Sequence, residues 1–206
     1  EVYIIYTSFY GDTKNRPVIR RLLPIVRGDY EQIAAHNEEL ARDIVERATV
    51  RGVTVSTAES LTAGMIASTI ADIPGASAVL RGGAVTYCDE IKHRVLGVEQ
   101  ETLDRFSAVS HQTAREMAEG IRRAIKTDIG VGITGIAGPG GGTKEKPVGL
   151  VFIAVSGPRG TMVKENHFSG TRTEVKRQTT DTALAMASAY LTQLNHPERN
   201  AHPERK

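Results

Sequence analysis

Three groups of residues in this sequence carry side chains suited to attacking and breaking a polar bond. The first is Thr-Ala-Glu-Ser-Leu-Thr-Ala-Gly, residues 57–64, where Ser60 stands at the joint between a β-like apolar run and a helical one. A helix that opens after a strand presents unpaired N–H groups and the positive end of its dipole, so this joint suits a phosphate, a carboxylate or an oxyanion. Ser60 is then either a cap for the helix or a nucleophile. Ala58 and Thr62 replace the glycines of a Gly-x-Ser-x-Gly elbow, and Ala63 stands where Ser-x-x-Lys needs its lysine. A base for Ser60 must therefore come from elsewhere.

The second group, Val-Thr-Tyr-Cys-Asp-Glu-Ile-Lys at residues 85–92, offers one. A lysine acts as a general base only when neutral, which requires burial or a neighbouring positive charge. Tyr87 can relay a proton or donate a hydrogen bond. On one helix the two side chains would point about 140° apart, at 3.6 residues per turn. They converge only if Tyr87 ends a strand and Lys92 lies in the helix that follows.

The third group is Ile-Thr-Gly-Ile-Ala-Gly-Pro-Gly-Gly-Gly-Thr, residues 133–143. Its glycines let the backbone approach a ligand closely, yet it contains neither Gly-x-Gly-x-x-Gly nor the Gly-Lys-Ser/Thr of a P-loop. Thr134 and Gly135 fall at the end of the strand that leads into it. Arg172, near the start of the last helix, can reach an anionic group. The six histidines form no metal-ligand pattern, and no zinc is expected.

Alternating elements must position these groups. Residues 31–51 space Ile33, Ala34, Leu40, Ile44, Val45 and Ala48 as a helix does, and Val-Thr-Val-Ser-Thr-Ala after them reads as a strand. A helix over 62–73, stopped by Pro74 and Gly75, leads to a strand over 82–88, then a short helix over 90–97 and a longer one over 111–126. Strands follow at 128–134 and 148–156, and Pro-Arg-Gly turns the latter into an antiparallel hairpin with 161–168. A helix over 171–194 closes the series. The pattern predicts an α/β fold whose hairpin makes the sheet mixed, with function on the loops at strand ends.

Composition bounds the rest. The 206 residues, 40% hydrophobic, suffice for one domain with its own core, and no apolar run approaches the roughly 20 residues of a membrane span. With a single cysteine, Cys88, a reducing, cytoplasmic setting is expected. Residues 1–30 hold five basic side chains against three acidic ones, which leaves the other 176 residues balanced at 21 of each sign. That balance speaks against nucleic-acid binding, which needs concentrated positive charge. The first 30 residues, with four of the six tyrosines, read as an N-terminal extension whose opening run is a strand or a packing segment. Residues 195–206, which repeat His-Pro-Glu-Arg, read as a disordered tail, and 31–194 as the main domain.

In this order, AESLTAG, GGAVTYCDEIKHRVLGV, GITGIAGPGGGTKEKPVGLVFIAV and FSGTRTEVKRQTTDTAL resemble the CinA C-terminal domain family, the nicotinamide-nucleotide amidases, over roughly residues 36–194. The resemblance implies a three-layer α/β/α sandwich with a mixed, mostly parallel sheet. It also implies a self-associating enzyme that deamidates nicotinamide mononucleotide without metal or cofactor, and engages neither nucleic acid nor membrane. Ser60, Tyr87 and Lys92 match the family's catalytic serine, tyrosine and lysine. Amides of residues 61–64 are then expected to hold the oxyanion. Expected substrate contacts are Glu59, Thr62 and Gly64 around the serine, with Thr134, Gly135, Gly138, Gly140 and Arg172 holding ribose and phosphate. Two positions depart from the family's usual Ala-Glu-Ser-Cys-Thr-Gly-Gly: Leu61 adds bulk beside the nucleophile, and Ala63 adds a methyl where the backbone would approach substrate. The alternative is a non-catalytic domain, binding a nucleotide or a partner, linked to competence or the DNA-damage response.

Overall fold

The computed structural model describes the backbone of residues 2–10, 14–22 and 27–194, and the side chains of residues 32–194. The expected disordered tail at 195–206 lies outside the described residues. The chain divides into two units, residues 1–35 and 36–206.

In the first unit, β1 (Val2–Tyr10) pairs antiparallel with β2 (Lys14–Leu22), in register from Val2↔Leu22 to Tyr10↔Lys14. The sequence offers β1 as a strand but shows β2 only as a basic stretch, because Pro17 within it cannot donate to a ladder. A two-stranded sheet accommodates that proline, since each of its strands has one side unpaired.

In the second unit, five strands are ordered β4-β3-β5-β6-β7: β3 (Val55–Glu59), β4 (Leu80–Val85), β5 (Ile129–Gly135), β6 (Leu150–Gly157) and β7 (Gly160–His167). β4 and β5 flank β3 in parallel, while β6 runs antiparallel to β5 and to β7. Only β6 therefore opposes the rest, so the sheet is mixed as expected. The helices are α1 (Arg27–Arg51), α2 (Met65–Ala71), α3 (Asp89–Leu96), α4 (Gln100–Phe106), α5 (His111–Ile125) and α6 (Arg172–Gln193). The sequence reading has no counterpart for α4, whose seven residues contribute only Thr102 and Leu103 to the interior. Among the described residues, no helix is long and apolar enough to cross a membrane.

Strand alternation separates the helices into two layers. Val131 and Ile133 of β5 and Val151, Ile153 and Val155 of β6 face one way, into a core with Ile44 of α1, Ile66 and Ile70 of α2 and Leu184 of α6. Leu150, Phe152 and Ala154 face the other way, against Ala114 and Ala118 of α5. Met117 and Ile121 of α5 meet Leu96 and Leu103 in the same outer layer. The chain thus leaves β3 through α2 on one face and returns from β4 to β5 through α3, α4 and α5 on the other. Such reversals open a crevice at the carboxyl ends of the parallel strands.

Close approach of α5 to the sheet depends on two glycines in β5. A Cβ on Gly130 would lie 2.2 Å from the Ala118 carbonyl oxygen, and one on Gly132 would lie 2.4 Å from the Ala118 nitrogen. Backbone on both sides cannot yield as a flexible side chain does. Gly132→Ala is therefore expected to cost roughly 2–3 kcal/mol through overpacking, lowering the melting temperature by roughly 5–10 °C. Circular dichroism on heating checks this, and an unchanged melting temperature contradicts it.

Candidate active site

β3 delivers Ser60 to the crevice. Its ladder to β5 continues one residue beyond the strand, through the Ser60 N–H to the Ile133 carbonyl at 3.1 Å. The chain then turns through Ala63, with φ 52°, and Gly64, with φ 96°, before α2 begins. Glu59 holds this turn in place. One carboxylate oxygen accepts from the N–H groups of Gly64 at 2.9 Å and Ile66 at 3.2 Å. The other accepts from the Ala67 N–H at 2.9 Å and from the Thr57 hydroxyl at 3.2 Å. Charge-assisted bonds of this kind fix geometry strongly, and they answer the positive end of α2 with a carboxylate of the same chain.

The sequence expectation for this joint changes accordingly. Glu59 is 1% exposed and Thr62 fully buried, and with Gly64 they lie outside the cavity. They shape the turn that presents Ser60. Of the four amides expected to serve an oxyanion, Ala63 donates to the Ser60 carbonyl and Gly64 to Glu59. The Leu61 and Thr62 amides have no acceptor among the described residues.

Ser60, Tyr87, Lys92, Thr134, Gly135, Gly138, Gly140 and Arg172 all line one cavity of about 250 Å³. Tyr87 stands two residues beyond β4 rather than ending it, and Lys92 sits in α3, yet both reach the one cavity. Only 2% of the Lys92 side chain is exposed, and its Nζ donates to the Thr86 carbonyl at 3.0 Å. Burial holds its ammonium below the ordinary value of 10.5, against the opposing pull of Asp89 and Cys88. Asp89 Oδ1 stands 4.0 Å from Nζ and also lines the cavity, a residue the sequence reading did not single out.

The far wall is tied together by side chains from distant segments. The Thr171 side chain and Glu174 form a reciprocal cap on α6 that places Arg172 at its first turn. Arg172 donates to the Tyr87 hydroxyl at 2.6 Å and to the Gly138 carbonyl at 2.8 Å. Thr134 Oγ1 donates to the Ala108 carbonyl at 2.6 Å. In the glycine loop, the N–H groups of Ala137, Gly138, Gly140 and Gly141 donate to no other described residue. Lys146 anchors this loop to the α4–α5 connection, donating to the carbonyls of Phe106 at 2.6 Å and Val109 at 2.8 Å and to the Ser107 hydroxyl. Nothing local in Thr-Lys-Glu-Lys-Pro signals a contact 40 residues away in sequence. Among the described residues, no group of three or more His, Cys, Asp and Glu side chains is placed to hold a metal ion.

Fold and site together define a three-layer α/β/α domain with a serine and a buried lysine at the switch point of its sheet. A family model for the CinA C-terminal domain matches residues 37–191, and the chain belongs to that family. A competence-damage inducible protein of Caldanaerobacter subterraneus is 46% identical over 158 residues, 77% of this chain and 38% of that relative. One from Clostridium beijerinckii is 49% identical over 154 residues, 75% of this chain and 37% of its own. The chain thus spans under two-fifths of these relatives. The crystal structure of the competence/damage inducible protein CihA from Agrobacterium tumefaciens superposes with a TM-score of 0.74 at 46% identity, covering 77% of this chain and 96% of that one. The competence damage-inducible protein A from Klebsiella pneumoniae gives 0.75 at 34%, covering 77% and 99%.

The two departures from the family's usual heptapeptide have different consequences. Leu61 is 3% exposed and packs in the core with α1, α2 and α6 while lining the cavity. Ala63 occupies a left-handed conformation, so its methyl costs backbone energy, about 1–2 kcal/mol. Ala63→Gly is expected to stabilise the protein by roughly 1 kcal/mol, after allowance for the greater freedom of unfolded glycine. The melting temperature should rise by about 2–4 °C; a fall on thermal denaturation contradicts this.

Proposed function

We propose that this domain is a serine amidohydrolase that converts nicotinamide mononucleotide to nicotinate mononucleotide and ammonia. The observation that carries the reading is Lys92, buried in the same cavity as Ser60 with its ammonium disfavoured. A lysine whose charged form burial disfavours is suited to act as a base, and the Ser60 hydroxyl, with no hydrogen-bond partner among the described residues, is free to give it a proton. The resemblance of its motifs to the nicotinamide-nucleotide amidases supports this reading, and the unengaged amides of the glycine loop, with Arg172, suit ribose and phosphate.

Ser60 Oγ attacks the carboxamide carbon while its proton passes to Lys92 Nζ. The carbonyl oxygen becomes an oxyanion, for which the Leu61 and Thr62 amides are the donors at hand. Collapse of the tetrahedral intermediate breaks the C–N bond. The nitrogen takes the proton from Lys92, relayed by Tyr87, and leaves as ammonia with an ester on Ser60. Water, deprotonated by Lys92, then attacks the ester, and Ser60 recovers its proton as nicotinate mononucleotide departs. The bond that Nζ donates to the Thr86 carbonyl uses one N–H and leaves the lone pair of neutral lysine for these transfers.

The test is ammonia release from nicotinamide mononucleotide by the purified chain. Ser60→Ala should abolish it without altering the circular dichroism spectrum. Lys92→Met should reduce it by roughly 10²–10⁴-fold, the usual contribution of a positioned base. A folded Ser60→Ala that retains full activity contradicts the mechanism. Nucleotide binding without release by the parent chain would assign the binding role instead.

The pH dependence has a definite sign. Ammonia release should fall as pH drops through the lowered ionisation of Lys92, on the alkaline side of which the amine is neutral. Between that value and the unfolded 10.5, the unfolded chain binds more protons than the folded one, so stability rises with pH. Below the window the cost of charging Lys92 is fully present. Lys92→Met should therefore raise the melting temperature at neutral pH, with the gain shrinking towards pH 10.5. Melting curves across pH check this, and a gain that grows with pH contradicts it.

A further inference from the structure

A second cavity, of about 310 Å³, opens between the end of α5 and the β6–β7 hairpin. Gly135, in the first cavity, pairs with Val151, whereas Gly130 pairs with Ser156 of the second. The two cavities are thus separated by five residues of β6, about 16 Å at roughly 3.3 Å per residue. No residue lines both.

The second cavity is built around donors. Strand alternation turns Ser156 to the α5 face, as it does Phe152 and Ala154. Ser156 is 2% exposed, lines the cavity and donates its hydroxyl to no other described residue. The hydroxyl is not among the sealed, partnerless polar atoms of the interior, so it stands open as a donor to whatever enters the cavity. Arg122 and Arg123, in the last turn of α5, line the same space and form no ion pair among the described residues. Glu119 is already engaged, accepting from the Thr161 hydroxyl at 2.7 Å. Two arginines against one committed carboxylate give the cavity a positive surround, although Arg123 also extends towards Gly97.

We infer that this cavity binds the phosphate group of a small molecule. A phosphate carries a charge near −2 at neutral pH and three accepting oxygens. It thereby matches two neighbouring arginines and one open hydroxyl better than a carboxylate does. The site needs no part of the first cavity, so its occupancy is independent of the reaction proposed for Ser60.

Titration of the ¹⁵N-labelled chain with inorganic phosphate, against sodium chloride at matched ionic strength, tests the assignment by residue. The amides of Ser156, Gly157 and Thr161 should shift saturably with phosphate and not with chloride. Arg122→Gln with Arg123→Gln should weaken that response roughly tenfold or more, as expected for lost bonds to a charged group. Ser156→Ala should weaken it by a smaller factor, and Arg172→Gln, at the other cavity, should leave it intact. Ammonia release should be unchanged in the doubly substituted chain. Absence of these shifts, equal shifts with chloride, or shifts that survive both arginine substitutions would overturn the inference.

Discussion

The Glu59 carboxylate, hydrogen-bonded to the first amides of the helix that follows its own strand, is the contact on which the site depends. It closes a loop of only a few residues between β3 and α2, and Ser60 is inside that loop. Because both carboxylate oxygens are used, the turn is fixed in orientation as well as position. The left-handed backbone at Ala63 and Gly64 is the conformational consequence. A helix N-terminus that invites an external anion is here satisfied internally, which leaves the neighbouring Leu61 and Thr62 amides as the unused donors.

Around that fixed serine the sheet brings together groups that no single element could supply. The chain leaving β4 presents Tyr87 two residues past the strand, α3 buries Lys92 against the Thr86 carbonyl, and β5 opens into the glycine loop. Arg172 and Lys146 then act as ties, one from α6 to Tyr87 and Gly138, the other from the loop to the start of α5. Burial of Lys92 works against stability, since its charged form is penalised, and in the proposed reaction the same penalty makes it a base. Packing elsewhere offsets it, most visibly where Gly130 and Gly132 let α5 lie directly on the sheet.

Much of this was legible in the sequence because periodicity is local. Short apolar and β-like runs placed the five strands of the main sheet, and the Pro-Arg-Gly turn placed its closing hairpin. The helical setting of Lys92 was legible, whereas the strand expected to end at Tyr87 stops two residues earlier, at Val85. Resemblance to a family, rather than spacing, joined them to Ser60. The remaining features rest on long-range contacts or on side-chain choice. Glu59 reads in sequence as a residue available to substrate, whereas the fold consumes it as a cap. Lys146 looks like one charge in a polar loop until the α4–α5 connection comes beside it. Arg172 reads as a free cation, yet two hydrogen bonds engage it. β2 was hidden by Pro17, and α4 by its brevity.

The central claim is that Lys92 is neutral where the reaction runs. Nuclear magnetic resonance of the folded chain with ¹³Cε-labelled lysine, assigned through Lys92→Met, reads that ionisation directly. The account predicts a midpoint displaced below 10.5 that coincides with the acid limb of ammonia release. A Lys92 that stays charged across the pH range in which ammonia is released would contradict it.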